Sequence, residues 1–171
     1  LILFNLVNKI DTRFIFYFHN DPLSMKGSKK ISERLSILKN CEKIIFVSEW
    51  VRERFFLDID KKLTPKTEVI YPSVNSQPFS KKDKIITLLS ENHKELGFLK
   101  HKKTLDILNI SEISVVPSRW EEPFGRTALE ATSRGCATII SNKGGLIETT
   151  DHAVVLKKLD ELNLYKELKR L

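Results

Sequence analysis

Glu122 and Glu130 enclose the segment EPFGRTALE with seven residues between them. The first carboxylate sits in a run containing Pro and Gly. The second falls in a stretch that reads as a helix from about Gly125 to Arg134, closed near Gly135. Eight steps of about 100° leave the two on different faces even of a continuous helix, so they do not suit a paired general acid and base. They suit a ligand that passes over the helix start and presents hydroxyls, because an ionised carboxylate accepts hydrogen bonds without competing as a donor. The unpaired N–H groups and positive dipole end at that start favour a diphosphate, and Gly125 permits close approach. Taken alone, the two residues read as a loop charge and a solvated helix residue. Their surroundings shift the balance toward a ligand.

The elements that must position them alternate. RFIFYF (Arg13–Phe18) reads as a buried strand ending in the loop HNDP, His19–Pro22. Ile31, Leu35 and Leu38 recur at helical spacing, and Lys43–Val47 returns to strand. Ser48 then caps a helix whose first turn carries Glu49. Glu68–Ile70 is a short strand into YPSVN, and Ser76–Lys84 is polar enough to be a linker. Beyond it come strand candidates at Lys84–Leu89, Leu96–Leu99 and Ile113–Val116, with a helix across Lys102–Asn109. Strand Thr138–Ser141, the pair Gly144–Gly145, strand Ala153–Leu156 and a closing helix Leu159–Leu171 complete the chain. This pattern predicts parallel sheet covered on both faces, with ligands beyond the carboxyl ends of the strands. Residues 1–75 and 76–171 are expected to form two halves.

The totals are those of a globular protein: 171 residues, 41% hydrophobic and 30% charged. The net charge of +7 comes from scattered lysine clusters, which favour anionic partners without the motif or aromatic stripe of a nucleic-acid binder, so no nucleic acid is expected. The opening LILFNLVNKI reads as a truncated start, and no apolar run approaches the length of a membrane span. Membrane contact would therefore be peripheral. Cys41 and Cys136 lack metal or redox spacing and read as buried free thiols of a reducing cytoplasm.

The segment PSRWEEPFGRTALE resembles the E-x7-E signature of family 4 glycosyltransferases, retaining enzymes of GT-B fold. ISVVPS resembles the strand that precedes that signature, and GCATIISNKGGLIE the strand and glycine pair that follow it. FHNDP, IIFVSEWVRERF and VIYPSVN resemble the end of the family's acceptor-side half. The resemblance implies an α/β, GT-B-like fold of two partial Rossmann-like parallel-sheet halves. Residues 1–75 would be the acceptor side and 76–171 a shortened nucleotide-sugar-binding half.

It implies transfer from a nucleotide-diphosphate sugar to a polysaccharide or lipid-linked acceptor, at the inner face of the membrane, without cofactor or metal. Glu122 would orient the sugar with the backbone of Pro123 and Phe124. Gly125, Arg126 and Thr127 would face the diphosphate, Glu130 would hold the ribose, and His19 would assist near the sugar and phosphate. Ser48, Gly144 and Gly145 are additional candidates.

Alternatives stand beside several of these. Ser48 reads as a cap before a ligand contact, and His19 equally as a satisfied buried histidine. His93, His101 and His152 read as surface residues, and Trp120 and Phe124 as packing or stacking aromatics. The chain also departs from the family after Lys84–Leu89, where the Gly-Arg and Lys-Gly that clamp the diphosphate are missing. Arg126 or Lys143 would have to replace them. A non-catalytic binding module derived from such an enzyme is the competing expectation.

Overall fold

In the computed structural model, residues 14–63, 66–75 and 96–171 are described. They fall into two compact units: the chain through Pro72 with Glu122–Phe124, and Ser73–Glu121 with Gly125–Leu171. Each contains one parallel three-stranded sheet flanked by helices, the arrangement that alternating strands and helices dictate.

In the first unit, β1 (Ile15–Phe18), α1 (Ile31–Asn40), β2 (Lys43–Phe46), α2 (Glu49–Phe55) and β3 (Thr67–Val69) follow in order. β2 lies between the other two strands, with Phe46 opposite both Phe18 and Val69. Phe18, Phe46 and Phe55 are fully buried, and their ring centroids lie 5.2 to 5.6 Å apart, a spacing at which aromatic rings attract beyond simple area burial. The loop after β1 is fixed by Asp21. Its carboxylate accepts from Arg54 Nε at 3.1 Å and Nη2 at 2.9 Å, and from the Leu23 amide. This two-point pairing sets orientation as well as attraction.

His19 is exposed, with its ring 4.1 Å from that of Tyr17. The buried alternative for His19 therefore fails. The inward residue of this strand end is Phe18, and period-two alternation turns the next side chain outward.

In the second unit, α3 (His101–Ile110), β4 (Ile113–Val116), α4 (Arg126–Thr132), β5 (Ala137–Ser141), a 3-10 turn (Gly144–Glu148), β6 (Val154–Leu156) and α5 (Glu161–Arg170) succeed one another. β5 lies between β4 and β6, with Ile140 paired to Val116 and Val155. Ala128 of α4, Ile140 of β5 and Leu146 of the 3-10 turn are fully buried together. Leu108, Ala131 and Cys136 form a second cluster between α3 and α4.

Leu96–Leu99 is not a strand. Gly97 has φ +59° and Phe98 is fully exposed, so the apolar run is broken by a left-handed residue and pairs with nothing among the described residues. The α4 helix is also shorter than the spacing suggested. The opening LILFNLVNKI, the linker Ser76–Lys84, the strand expected at Lys84–Leu89 and His93 lie outside the described residues. Among the described residues no helix is long and apolar enough to cross a membrane.

Cys41 and Cys136 are both free and buried. Burial pushes the Cys41 thiol up to about 11, and the Cys136 Sγ donates to the carbonyls of Leu108 and Ser111 at 3.3 and 3.2 Å. A thiol held protonated and enclosed is a poor nucleophile. Neither cysteine is expected to react with a disulfide reagent at pH 8 in the native protein, and both should react within minutes in denaturant. Titration of thiols against time checks this, and rapid native labelling of either would contradict the burial.

Candidate functional site

The second unit places Glu130 on α4 so that its side chain is 7% exposed, among groups that hold one of its oxygens. Arg126 sits one turn earlier on the same helix and donates from Nε to Oε1 at 2.9 Å, the spacing at which helix side chains meet. His101, the first residue of α3, places Nε2 2.9 Å from the same oxygen. Oε2 receives no hydrogen bond among the described residues. Glu130 is thus a buried carboxylate with one oxygen fixed and the other left to accept. Arg126 and His101 are themselves 70% and 57% exposed, so these contacts lend orientation more than stability.

This carboxylate lines a cleft of about 390 Å³ together with His101, Leu105, Arg126, Arg134 and the segment Ser73–Asn75. The reading of Glu130 as a solvated helix residue therefore does not hold. His101, expected at the surface, is half exposed but bonded. It lies 29 residues from Glu130 in sequence, and only the packing of α3 beside α4 unites them. Arg134 was likewise not singled out. A basic residue just past a helix end ordinarily reads as dipole compensation.

Gly125 caps α4 in the left-handed conformation, with φ +88° and ψ +56°. A side chain there would meet Leu146 Cδ1 at 2.1 Å and Thr149 Oγ1 at 3.0 Å. The close approach that glycine permits here is to the 3-10 turn opened by Gly144 and Gly145, which packs against the helix start. Thr127 is exposed beside it. The loop after β4 is tied down by Ser141 Oγ donating to the Ser118 carbonyl at 2.8 Å. Lys143 is ion-paired to Glu121 at 3.1 Å, so both cations that could stand in for a diphosphate clamp, Arg126 and Lys143, already contact carboxylates. Among the described residues there is no cluster of three or more metal-ligating side chains.

Glu122, Pro123 and Phe124 belong with the first unit. Phe124 is buried, 6.0 Å from the Tyr71 ring, which settles its alternative in favour of packing. Ser48 is fully buried. Its Oγ accepts from the Val51 amide at 3.1 Å, capping α2, and donates to the Pro123 carbonyl at 2.5 Å. One hydroxyl thus closes a helix and anchors the loop that carries Glu122. Ser48→Ala is expected to destabilise the protein by about 1–3 kcal/mol, because it removes the cap and leaves a buried amide and a half-buried carbonyl without this partner. Ser48→Thr, which keeps both bonds, should stay near wild type. Urea unfolding of the two variants checks this, and equal stability of wild type and Ser48→Ala would contradict the double role.

The family model described as "Glycosyl transferases group 1" matches residues 76–161, half of the chain. A glycogen synthase of Mycobacterium tuberculosis is 43% identical over 53 residues, covering 31% of this chain and 13% of that protein. An uncharacterized glycosyltransferase, MJ1607, of Methanocaldococcus jannaschii is 37% identical over 59 residues, 34% of this chain and 15% of that one.

Among solved structures, Anabaena Alr3699/HepE in complex with UDP matches with a TM-score of 0.78 at 13% identity, over 99% of this chain and 65% of that one. Sucrose-phosphate synthase from Thermosynechococcus elongatus matches with a TM-score of 0.72 at 15% identity, over 99% and 61%. At these identities the structural likeness is one of fold, an α/β, GT-B-like fold. The chain spans less than two thirds of the length of each of these proteins.

Proposed function

The chain belongs to the glycosyl transferases, group 1, and on that premise we propose that it is a retaining glycosyltransferase of the E-x7-E type. It would move a hexose-like sugar from a nucleotide-diphosphate donor to a polysaccharide or lipid-linked acceptor. The observation that carries the proposal is Glu130. It is a buried carboxylate whose Oε1 is fixed by Arg126 and His101, while Oε2 receives no hydrogen bond among the described residues, in a cleft lined by Ser73–Asn75 and by residues of the segment that the family model matches. A carboxylate so held is an acceptor for the vicinal hydroxyls of a ribose.

In this proposal Arg126, Gly125 and Thr127 lie at the diphosphate. Because α4 has only seven residues, its dipole is small and the Arg126 guanidinium supplies most of the positive charge there. The roles of Glu122 and His19 toward the sugar, with Pro123 and Phe124 as backbone contacts, and of Gly144 and Gly145 as further donor contacts, rest on the resemblance. So does transfer without a metal or cofactor. UDP is bound by Alr3699/HepE, which supports a nucleotide donor of that kind. The net charge of +7 supports a peripheral position on an anionic, cytoplasmic membrane face.

A second reading is favoured by the ion pairs themselves. Arg126 contacts Glu130 and Lys143 contacts Glu121. A site in which both candidate clamp cations are already neutralised would bind a donor without stabilising the departing diphosphate, a term that can account for roughly 10²–10³ in rate. Incubation with UDP-glucose or GDP-mannose and a lipid-linked saccharide acceptor separates the readings. Release of nucleoside diphosphate with a product of retained anomeric configuration, read by NMR, is expected of the enzyme. An inverted product contradicts the retaining mechanism, and binding without release selects the binding module.

A further inference from the structure

Arg126, Glu130 and Arg134 recur at four-residue intervals, the last in the turn that closes α4, and all three line the same cleft. Arg126 and Glu130 are about 6 Å apart along the helix axis and Arg134 follows in the turn beyond, an order that follows the succession of phosphate, ribose and base in a nucleoside diphosphate. If Arg126 stands at the phosphate and Glu130 at the ribose, Arg134 stands at the base. The cleft also carries the apolar Leu105 and Val74, which suit a planar ring and not a second phosphate.

The Arg134 guanidinium is held in place. Nη1 donates to the Glu130 carbonyl at 3.1 Å and to Ser133 Oγ at 3.2 Å, and Nε is buried without a partner. Buried donors left unpaired are rare and unfavourable, so a side chain fixed in this way calls for an explanation beyond packing. Among the described residues Arg134 forms no ion pair, and Nη2 makes no hydrogen bond. Unlike Arg126, it is a cationic group of this cleft that does not contact the Glu130 carboxylate.

We infer that Arg134 is a specificity-determining residue that donates from its guanidinium to a carbonyl oxygen of the nucleobase, so that the cleft selects keto bases over adenine. The inference rests on the nucleotide-donor reading above. A guanidinium has donors and no acceptor. It matches the O4 or O2 of uracil and the O6 and N7 of guanine, whereas adenine keeps N7 but presents an amino donor where guanine has O6. A donor left facing a donor goes unpaired, and binding to that base is weakened accordingly.

Calorimetric titration of the whole chain with UDP, GDP and ADP, for wild type, Arg134→Met and Arg134→Lys, tests the assignment. Wild type is expected to bind UDP or GDP about tenfold or more tightly than ADP. Arg134→Met, which keeps an unbranched apolar stem, should lose that preference while its ADP affinity and melting temperature stay close to wild type. Arg134→Lys should retain part of it. An undiminished preference in Arg134→Met overturns the inference, as does an equal loss for all three nucleotides, which would mark a phosphate contact. Both outcomes leave the donor reading standing. Failure of wild type to bind any of the three removes the donor reading and this inference with it.

Discussion

Gly125→Ala is expected to lower the stability of the protein by about 2–5 kcal/mol and its melting temperature by on the order of 10 °C. Two effects act together. A non-glycine residue at φ +88° pays about 1–2 kcal/mol for the left-handed conformation. The added methyl would also lie 2.1 Å from Leu146 Cδ1, far inside contact distance. The end of a leucine can often swing aside, but Leu146 is fully buried against Ala128 and Ile140, and an overpacked core loses about 1–3 kcal/mol in displaced neighbours.

The perturbation falls on the residue that sets the first turn of α4, so nucleotide binding should weaken with stability. Thermal and urea unfolding of Gly125→Ala measure the effect. A change under about 0.5 kcal/mol, the range of an ordinary surface substitution, would show that neither the backbone conformation nor the packing described here governs this position.

Glu130→Ala is expected to weaken nucleoside diphosphate binding about 100-fold while leaving the melting temperature nearly unchanged. The asymmetry follows from exposure. Removing the carboxylate frees Arg126 and His101, which at 70% and 57% exposed return to water at little expense. The ligand has no such recourse. Its hydroxyls lose an ionised acceptor inside a cleft, and hydrogen bonds to charged groups are worth about 1.5–3 kcal/mol each, so one to two of them account for a loss of that size. Glu130→Gln keeps the shape and one acceptor oxygen for Arg126 and His101 but loses the charge and turns the other oxygen into a donor, and should fall between. An affinity unchanged in Glu130→Ala would remove this carboxylate from the site.

The strands and most helices were legible to within a residue or two because their signals are local. The β-branched and aromatic run in RFIFYF, helical spacing in ISERLSILKN and the Ser48 cap each depend on neighbours a few residues away, although RFIFYF, expected to be buried, leaves Ile15 and Tyr17 exposed. Leu96–Leu99 misled because an apolar run says nothing about Gly97 adopting a positive φ. Glu130 could be singled out from its place after EPFG, yet its burial and its pairing with His101 arise from α3 lying beside α4, a contact across 29 residues that no spacing encodes.

Arg134 was hidden for the same reason, since its distinguishing feature is what its guanidinium does and does not bond. His19 was undecided because a residue at the end of a strand can turn either way, and only the burial of Phe18 shows which. Gly125 was expected to admit a ligand, and the neighbour it admits within this chain is Leu146.

The central claim, that the cleft along α4 holds a nucleoside diphosphate through Glu130, is tested most directly by titration calorimetry of the intact chain with UDP, GDP and ADP. Saturable one-to-one binding of at least one of them, weakened about 100-fold in Glu130→Ala, is the result predicted. No heat of binding with any of the three would contradict it.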